Sequence, residues 1–298
     1  MGWRTVVITK HSKASYKMEH LIIQTEDDVV KIPMSDIQIL LIATTESVIT
    51  SHLVMELAKR DIKIIFTDNK KMPVGEFNPY YSNLNRNRNI LKQISWDSDK
   101  KSLLWQAIIK IKITNQAKLL AKYDREKYDG NLANIDLEEL INQIEIGDVT
   151  NREAVAARMY FQRLFDTKFN RRNDENEING YLNFGYSILL SLITQEICCA
   201  GYLTELGVHH NSMENFYNLA SDFIEPFRIF VDEIAFNKTP GSELDMSDKL
   251  ELVDLLNQTI TTNNGDALLS GVIKTFVRSC LKYLSEDVEN IPELEIKV

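Results

Sequence analysis

His209 and His210 are adjacent, and Asp222 and Glu225 follow three residues apart, all within the stretch from Gly207 to Arg228. The histidines fall in an expected loop and the carboxylates where a helix is expected to begin. Residues i and i+3 share a helical face, so Asp222 and Glu225 are expected to point at one spot. An imidazole, a carboxylate and an open coordination position suit a divalent cation. Residue type alone leaves open which histidine and which carboxylate would bind, and a further ligand has to come from elsewhere.

Glu153 is the carboxylate that could supply it. Thr150 and Glu153 fit a capping box, in which the Glu side chain reaches back to the cap N–H. A structural cap is therefore one reading of Glu153, and a metal ligand projecting from a helix start is the other. Ala154, Ala156 and Ala157 keep this helix slim, so another helix or a ligand can approach it closely. Tyr160, two turns on, lies on the same face as Glu153.

Around these residues the chain reads as α+β. From Thr5 to Phe66, β-branched and apolar runs mark strands at Thr5–Thr9, Lys17–Gln24, Val29–Ile32 and Ile62–Phe66, with a hairpin at Asp27-Asp28 and a buried strand at Ile37–Ala43. Thr45 or Ser47 is expected to cap one helix carrying Val48, Leu53, Val54 and Leu57. Residues 1–75 thus form a small β-rich domain, and 98–298 a larger all-α domain. Between them, 76–97 reads as a linker, since its Asn-rich run favours loops. Arg86, Arg88 and Lys92, with Tyr80 and Tyr81, are candidate phosphate contacts there, against the alternative of a solvated connector. Helices are expected over 101–123, 137–144, 151–165, 178–205, 221–236, 247–258 and 265–283. The lysines of the first, Lys110, Lys112, Lys118 and Lys122, read as an ordinary solvated face.

Composition narrows the class. At 298 residues, with 44% hydrophobic and 26% charged residues, the chain is typical of a globular protein with two domains. Its three Cys include the neighbours Cys198 and Cys199 in an apolar segment, which suits reduced, buried thiols rather than a disulfide framework. No signal-peptide layout opens the chain, and polar residues interrupt the apolar stretch 181–206, so a cytoplasmic protein without a membrane span is expected. The net charge of −9 hides a split: residues 1–130 hold 21 basic against 15 acidic residues, and the remainder 13 against 28. Charge is therefore neutral on a nucleic-acid partner.

In order and spacing, four segments resemble the CRISPR adaptation integrase family, the large endonuclease/integrase subunit of the spacer-acquisition complex. They are Glu-Ala-Val-Ala-Ala-Arg-Met-Tyr-Phe from Glu153, Asn-Gly-Tyr-Leu-Asn-Phe-Gly-Tyr from Asn179, Gly-Val-His-His from Gly207, and Leu-Ala-Ser-Asp-Phe-Ile-Glu-Pro-Phe-Arg from Leu219. The N-terminal segments His11–Lys17, Ile32-Pro33, Phe66–Asp68 and Pro73–Gly75 agree, so the resemblance covers roughly the whole chain. It is strongest to members from type II systems.

The resemblance implies a β-rich dimerisation domain and a helical catalytic domain with a metal triad. Glu153 matches the first ligand, His210 the histidine three residues after a glycine, and Glu225 the last, where some relatives carry Asp. His209, Asp222, Arg158, Tyr160, Tyr186 and Arg228 become supporting residues, with core packing as the other reading of both tyrosines. It further implies Mg²⁺ or Mn²⁺, and transesterification in which the 3′-hydroxyl of a short duplex attacks the leader–repeat junction. The implied partners are double-stranded DNA, a second copy of the chain, and a small ferredoxin-like subunit, arranged as two dimers flanking one partner dimer. Two rivals stand beside this: a stand-alone metal nuclease acting on branched DNA, and a non-catalytic scaffold for DNA or protein.

Overall fold

The computed structural model describes residues 4–69, 73–77, 83–124, 137–173, 176–238, 244–285 and 288–297. Tyr80 and Tyr81 lie outside them. The chain divides into two compact units, Met1–Asn85 with Cys198–Gly201, and Arg86–Ile197 with Tyr202–Val298. The first is rich in strands and the second in helices, as the patterning implies.

In the first unit, β1 (Arg4–Ile8), β2 (Lys13–Lys17), β3 (His20–Gln24), β4 (Val29–Pro33), β5 (Ile37–Ile42) and β6 (Val48–Ile49) precede helix α1 (Ser51–Lys59). β7 (Lys63–Thr67) and β8 (Pro73–Phe77) follow. They build two four-stranded sheets, in the orders β1-β5-β7-β8 and β4-β3-β2-β6. β5 lies between parallel neighbours, Thr5 and Lys63 flanking Ile39 in register, and every one of its residues is buried. A strand covered on both faces must be apolar almost throughout, which is why its run was readable. The cap of α1 is Thr50, whose hydroxyl accepts from Leu53 N, rather than Thr45 or Ser47. Val48 and Ile49 pair with β2, which delays the helix.

Residues 76–97 are not simply a connector. β8 runs to Phe77, and Arg86–Ile94 forms helix α2. Asn disfavours helices by only a few tenths of a kcal/mol, and side-chain anchors outweigh that. Gln93 donates to Leu203 O (2.8 Å) and Leu206 O (2.9 Å) while accepting from Leu203 N (2.8 Å). Trp96 Nε1 donates to Ser285 Oγ at 2.9 Å.

The second unit is built on α3 (Ser98–Lys122), whose first amides are capped by Asp97 Oδ1. Leu104, Ile108, Ile109, Ile113, Leu119 and Leu120 are buried, and so are Lys112, Asn115 and Gln116. Other elements therefore cover α3 around much of its circumference. The solvated-face reading fails at Lys112, which is 5% exposed. The other helices are α4 (Leu137–Asn142), α5 (Arg152–Leu164), α6 (Glu177–Cys199), α7 (Asn218–Phe223), α8 (Arg228–Phe236), α9 (Met246–Asp254) and α10 (Leu269–Ser285), of which α4, α5, α7, α8 and α10 pack on α3. By length and composition α6 could cross a membrane, but 72% of its apolar window is buried inside the protein, as befits a core helix. A Cβ at Gly185 would overlap Val231, so glycine allows α6 to approach α8 this closely.

Two expected helices differ in the structure. The helix expected over 221–236 is broken: α7 ends at Phe223, a 3₁₀ turn covers Glu225–Phe227, and α8 restarts at Arg228. Pro226 has no N–H to donate and disfavours α geometry at the residue before it. The helix expected from Gly265 begins instead at Leu269, after the hairpin β9 (Thr259–Thr262) and β10 (Gly265–Leu268). Gly265 takes φ +102°, a turn conformation costly for any other residue. With β11 (Ile296–Lys297) the hairpin forms a small antiparallel sheet, so the helical unit also contains strands.

Candidate metal centre

Glu153 is positioned by the way α5 starts. Asn151, which precedes the helix, sits at φ 52°, ψ 46° and makes no side-chain cap. The carboxylate of Asp148 caps instead, accepting from Arg152 N at 2.8 Å and Glu153 N at 3.0 Å. The Thr150–Glu153 capping box does not form. Glu153 is released from that role, and its Oε1 accepts from Lys112 Nζ.

Glu225 reaches the same ammonium from the opposite side of the sequence. Its Oε2 lies 2.6 Å from Lys112 Nζ, and its Oε1 lies 3.0 Å from Arg228 Nη2. Asn115, almost one turn beyond Lys112 on α3, donates to Pro226 O at 3.0 Å and pins the 3₁₀ turn against that helix. Burial pushes the Glu225 carboxyl up, but Arg228 and Lys112 outweigh it and hold it at about 2. Burial also works against the Lys112 ammonium, while Glu225 and Glu153 raise it above its ordinary value. The cluster is therefore ionic, with two cations against two carboxylates.

Asp222 does something other than share Glu225's target. It is fully buried and accepts from Val208 N (2.6 Å), His209 N (3.1 Å) and His210 N (3.0 Å). The expectation that the two carboxylates converge is corrected: the helix break at Pro226 sends Asp222 back to the histidine loop and Glu225 on to Lys112. The loop is tight enough that a Cβ at Gly207 would overlap His210 O and lie 2.8 Å from Asp222 Oδ2.

The two histidines are held differently. His210 Nδ1 lies 2.7 Å from Asp222 Oδ1, a hydrogen bond that raises its pKa above the ordinary value despite partial burial. Its side chain is 41% exposed, and its Nε2 is the nitrogen left to bind. His209 stacks on Trp105 with ring centroids 4.2 Å apart and planes 4° from parallel. Burial, the largest influence, lowers the pKa of His209.

The expected supporting residues divide. Tyr160 OH donates to Asp232 Oδ2 at 2.8 Å, Tyr186 OH donates to Asp232 Oδ1, and the Arg228 guanidinium sits 4.5 Å from the centre of the Tyr186 ring. Both tyrosines are buried, so packing and polar bonding coincide. Arg158 is exposed and turned roughly 140° around α5 from Glu153, away from the cluster. Of the linker residues, Arg88 is exposed and Arg86 half-buried, whereas Lys92 Nζ donates to Ser285 O at 3.1 Å and is spent on the fold.

Sequence reasoning missed Lys112, Trp105, Asp148 and Asp232. Asp232 left a trace: with Glu233 it interrupts the apolar run Ile229–Ala235, and it falls four residues after Arg228, on the same helix face. Lys112 left little, because the alternation Ile111-Lys112-Ile113 assigns it to no face.

Among the described residues, no three His, Cys, Asp or Glu side chains converge closely enough to hold one ion. Glu153 and Glu225 meet on Lys112, and His210 stays with Asp222. The donor set nevertheless fits a hard divalent cation. Two carboxylates, one from α5 and one from the 3₁₀ turn before α8, already converge on a positive charge. Glu225 Oε2 is buried, with the Lys112 ammonium 2.6 Å from it in the place a cation would take. His210 is oriented by a carboxylate, as metal-binding imidazoles usually are.

Known proteins resemble this chain in sequence and in fold. The family model described as CRISPR associated protein Cas1 matches residues 5–251. The CRISPR-associated endonuclease Cas1 of Neisseria meningitidis serogroup C (strain 8013) is 36% identical over 233 residues, 78% of this chain and 74% of that protein. A casposase bound to integration product shares the fold with a TM-score of 0.79 at 18% identity, covering 97% of this chain and 92% of that one. A chain of a Cas6-RT-Cas1–Cas2 complex gives a TM-score of 0.71 at 18% identity, over 94% of this chain and 35% of its own length.

Proposed function

Because the chain belongs to the Cas1 family of CRISPR-associated proteins, we propose that it is the metal-dependent DNA endonuclease/integrase of CRISPR adaptation. In this reading it inserts short captured duplexes at the leader–repeat junction, and a 3′-hydroxyl of the duplex attacks a phosphodiester there. The observation that carries the reading is the convergence of Glu153 and Glu225 on one cation, with His210 held nearby by Asp222.

Glu153, Glu225 and Nε2 of His210 would hold Mg²⁺ or Mn²⁺. When bound, such an ion supplies Lewis-acid activation of the attacking hydroxyl and neutralises charge building up on phosphorus-bound oxygens. The chain's own residues prepare the site. Asp222 takes the Nδ1 side of His210 and fixes the ring, so that Nε2 faces outward. Arg228 restrains Glu225 through Oε1 and leaves Oε2 for the ion. Tyr186, anchored on Asp232, backs the Arg228 guanidinium and limits its swing. With water in place of the hydroxyl, the same arrangement gives endonuclease activity.

The fold shared with a casposase bound to integration product and with a chain of a Cas6-RT-Cas1–Cas2 complex supports duplex DNA and a Cas2-type small subunit as partners. A homodimer on each side of a partner dimer completes the proposed assembly. The test is strand transfer of a labelled duplex into a repeat-containing plasmid, with Mn²⁺ or EDTA and with or without the small subunit. Metal-dependent joining is expected, and His210→Ala should abolish it while the protein still binds duplex. Cleavage of branched DNA without joining at a repeat would favour the stand-alone nuclease and sink the integrase reading.

A further inference from the structure

Lys112 is the residue that neither the sequence pattern nor the proposed chemistry accounts for. Its ammonium is buried on a helix read as solvated, in contact with one oxygen each of Glu153 and Glu225. Those are the oxygens a divalent ion would need. The four charges of the cluster cancel: Lys112 and Arg228 against Glu153 and Glu225. Arg228 engages only Oε1 of Glu225, so the face between the two carboxylates belongs to Lys112.

We propose that Lys112 is an internal counter-cation that fills the position between Glu153 and Glu225 when no metal is bound, and that a divalent ion binds by displacing it. The inference rests on the metal-dependent reading above. Bare carboxylates facing each other would repel and pay a desolvation cost, so the metal-free fold needs a cation there. A lysine suits a temporary role. It is a point charge on a flexible four-carbon stem, whereas the planar guanidinium of arginine makes a fixed two-pronged bond. The cluster also has an open side, because Glu153 is 27% exposed and the His210 ring 41% exposed. The displaced ammonium can leave in that direction without disturbing α3, whose position is set by Asn115 and the aliphatic core.

The experiment uses the full chain and Mn²⁺ alone. Mn²⁺ affinity is measured by calorimetry or electron paramagnetic resonance for the wild type, Lys112→Met, Lys112→Arg and Glu153→Gln. In parallel, acylation of Lys112 by an amine-reactive reagent is followed by mass spectrometry with saturating Mn²⁺ and with EDTA. Lys112→Met should bind Mn²⁺ more tightly by about tenfold or more, Lys112→Arg no more tightly than the wild type, and Glu153→Gln far more weakly. Wild-type Lys112 should be acylated several-fold faster with Mn²⁺ than in EDTA. The acylation readout separates displacement from simple removal of a repelling charge, and it stands alone if Lys112→Met fails to fold. Wild-type Mn²⁺ binding with unchanged Lys112 acylation overturns the displacement while leaving the metal reading intact. Absence of Mn²⁺ binding in every variant overturns both.

Discussion

Asp232→Asn should remove a defined component from the pH dependence of stability. The Asp232 carboxyl is fully buried and carries two tyrosine hydroxyls. Burial raises it from 3.8 to about 6, although those hydroxyls and the nearby Arg228 and Arg171 pull the other way. A raised native pKa means the folded chain binds the proton more tightly than the unfolded one. The group's stabilising contribution is therefore complete below about pH 4 and is lost as pH rises through about 6. Two units at 1.36 kcal/mol each make the whole effect about 3 kcal/mol. Integrated between about pH 5 and about pH 7.5, it is about 1.4 kcal/mol. The assay is urea unfolding of wild type and Asp232→Asn at both pH values. The asparagine keeps the shape and cannot ionise, and contributions from other groups cancel in the difference. Wild-type stability relative to the variant should fall by about 1.4 kcal/mol from the lower pH to the higher. A difference flat to within about 0.5 kcal/mol, or one that grows with pH, would refute the reasoning. The latter would mean that the tyrosines and arginines stabilise the carboxylate more than burial penalises it.

Other perturbations separate the parts of the site. Glu153→Gln should leave the start of α5 intact, because Asp148 and not Glu153 caps it, yet abolish metal-dependent cleavage and joining; circular dichroism and a nicking assay check the two halves. Asp148→Ala should cost about 1–2 kcal/mol, the loss of a cap serving two amides, read by urea unfolding. Gly207→Ala forces a methyl into His210 O and Asp222, and should cost about 1–3 kcal/mol by overpacking while weakening Mn²⁺ binding measured by calorimetry. If Gly207→Ala keeps wild-type stability and Mn²⁺ affinity, the loop is not held as tightly as the Asp222 bonds imply.

The parts of the molecule whose cause is local were the readable ones. The unbroken apolar run of β5 announces a strand covered on both faces, and the capping logic of α1 was misplaced only by the pairing of Val48 and Ile49 with β2. What escaped depends on distant partners. Gln93 and Trp96 turn an Asn-rich stretch into α2 by bonding to residues more than a hundred positions away. Lys112 could not be assigned to a face, because α3 is covered around much of its circumference and its lysine serves two acids from other helices. Glu153, His210 and Glu225 stood out by motif. Helical spacing alone would let Asp222 and Glu225 share one target, whereas in the fold Asp222 holds the histidine loop and Glu225 meets Lys112. The hairpin of β9 and β10 was hidden because Gly265 and the four residues after it also suit a helix start.

The turn that leads into α5 has a geometric consequence. Gly147, Asp148 and Asn151 all take positive φ, at 74°, 52° and 52°. Asp and Asn, after glycine, are the types that tolerate this region most readily. Such a turn acts as an indexing device: it decides at which residue helical winding begins, and hence the bearing of every side chain on α5. Starting the helix one residue earlier or later would rotate Glu153 by roughly 100°, away from Lys112 and Glu225. A β-branched residue at 148 or 151 would therefore act at a distance, misaiming Glu153 without touching it. Variation at these positions should be constrained as tightly as at the carboxylate they aim.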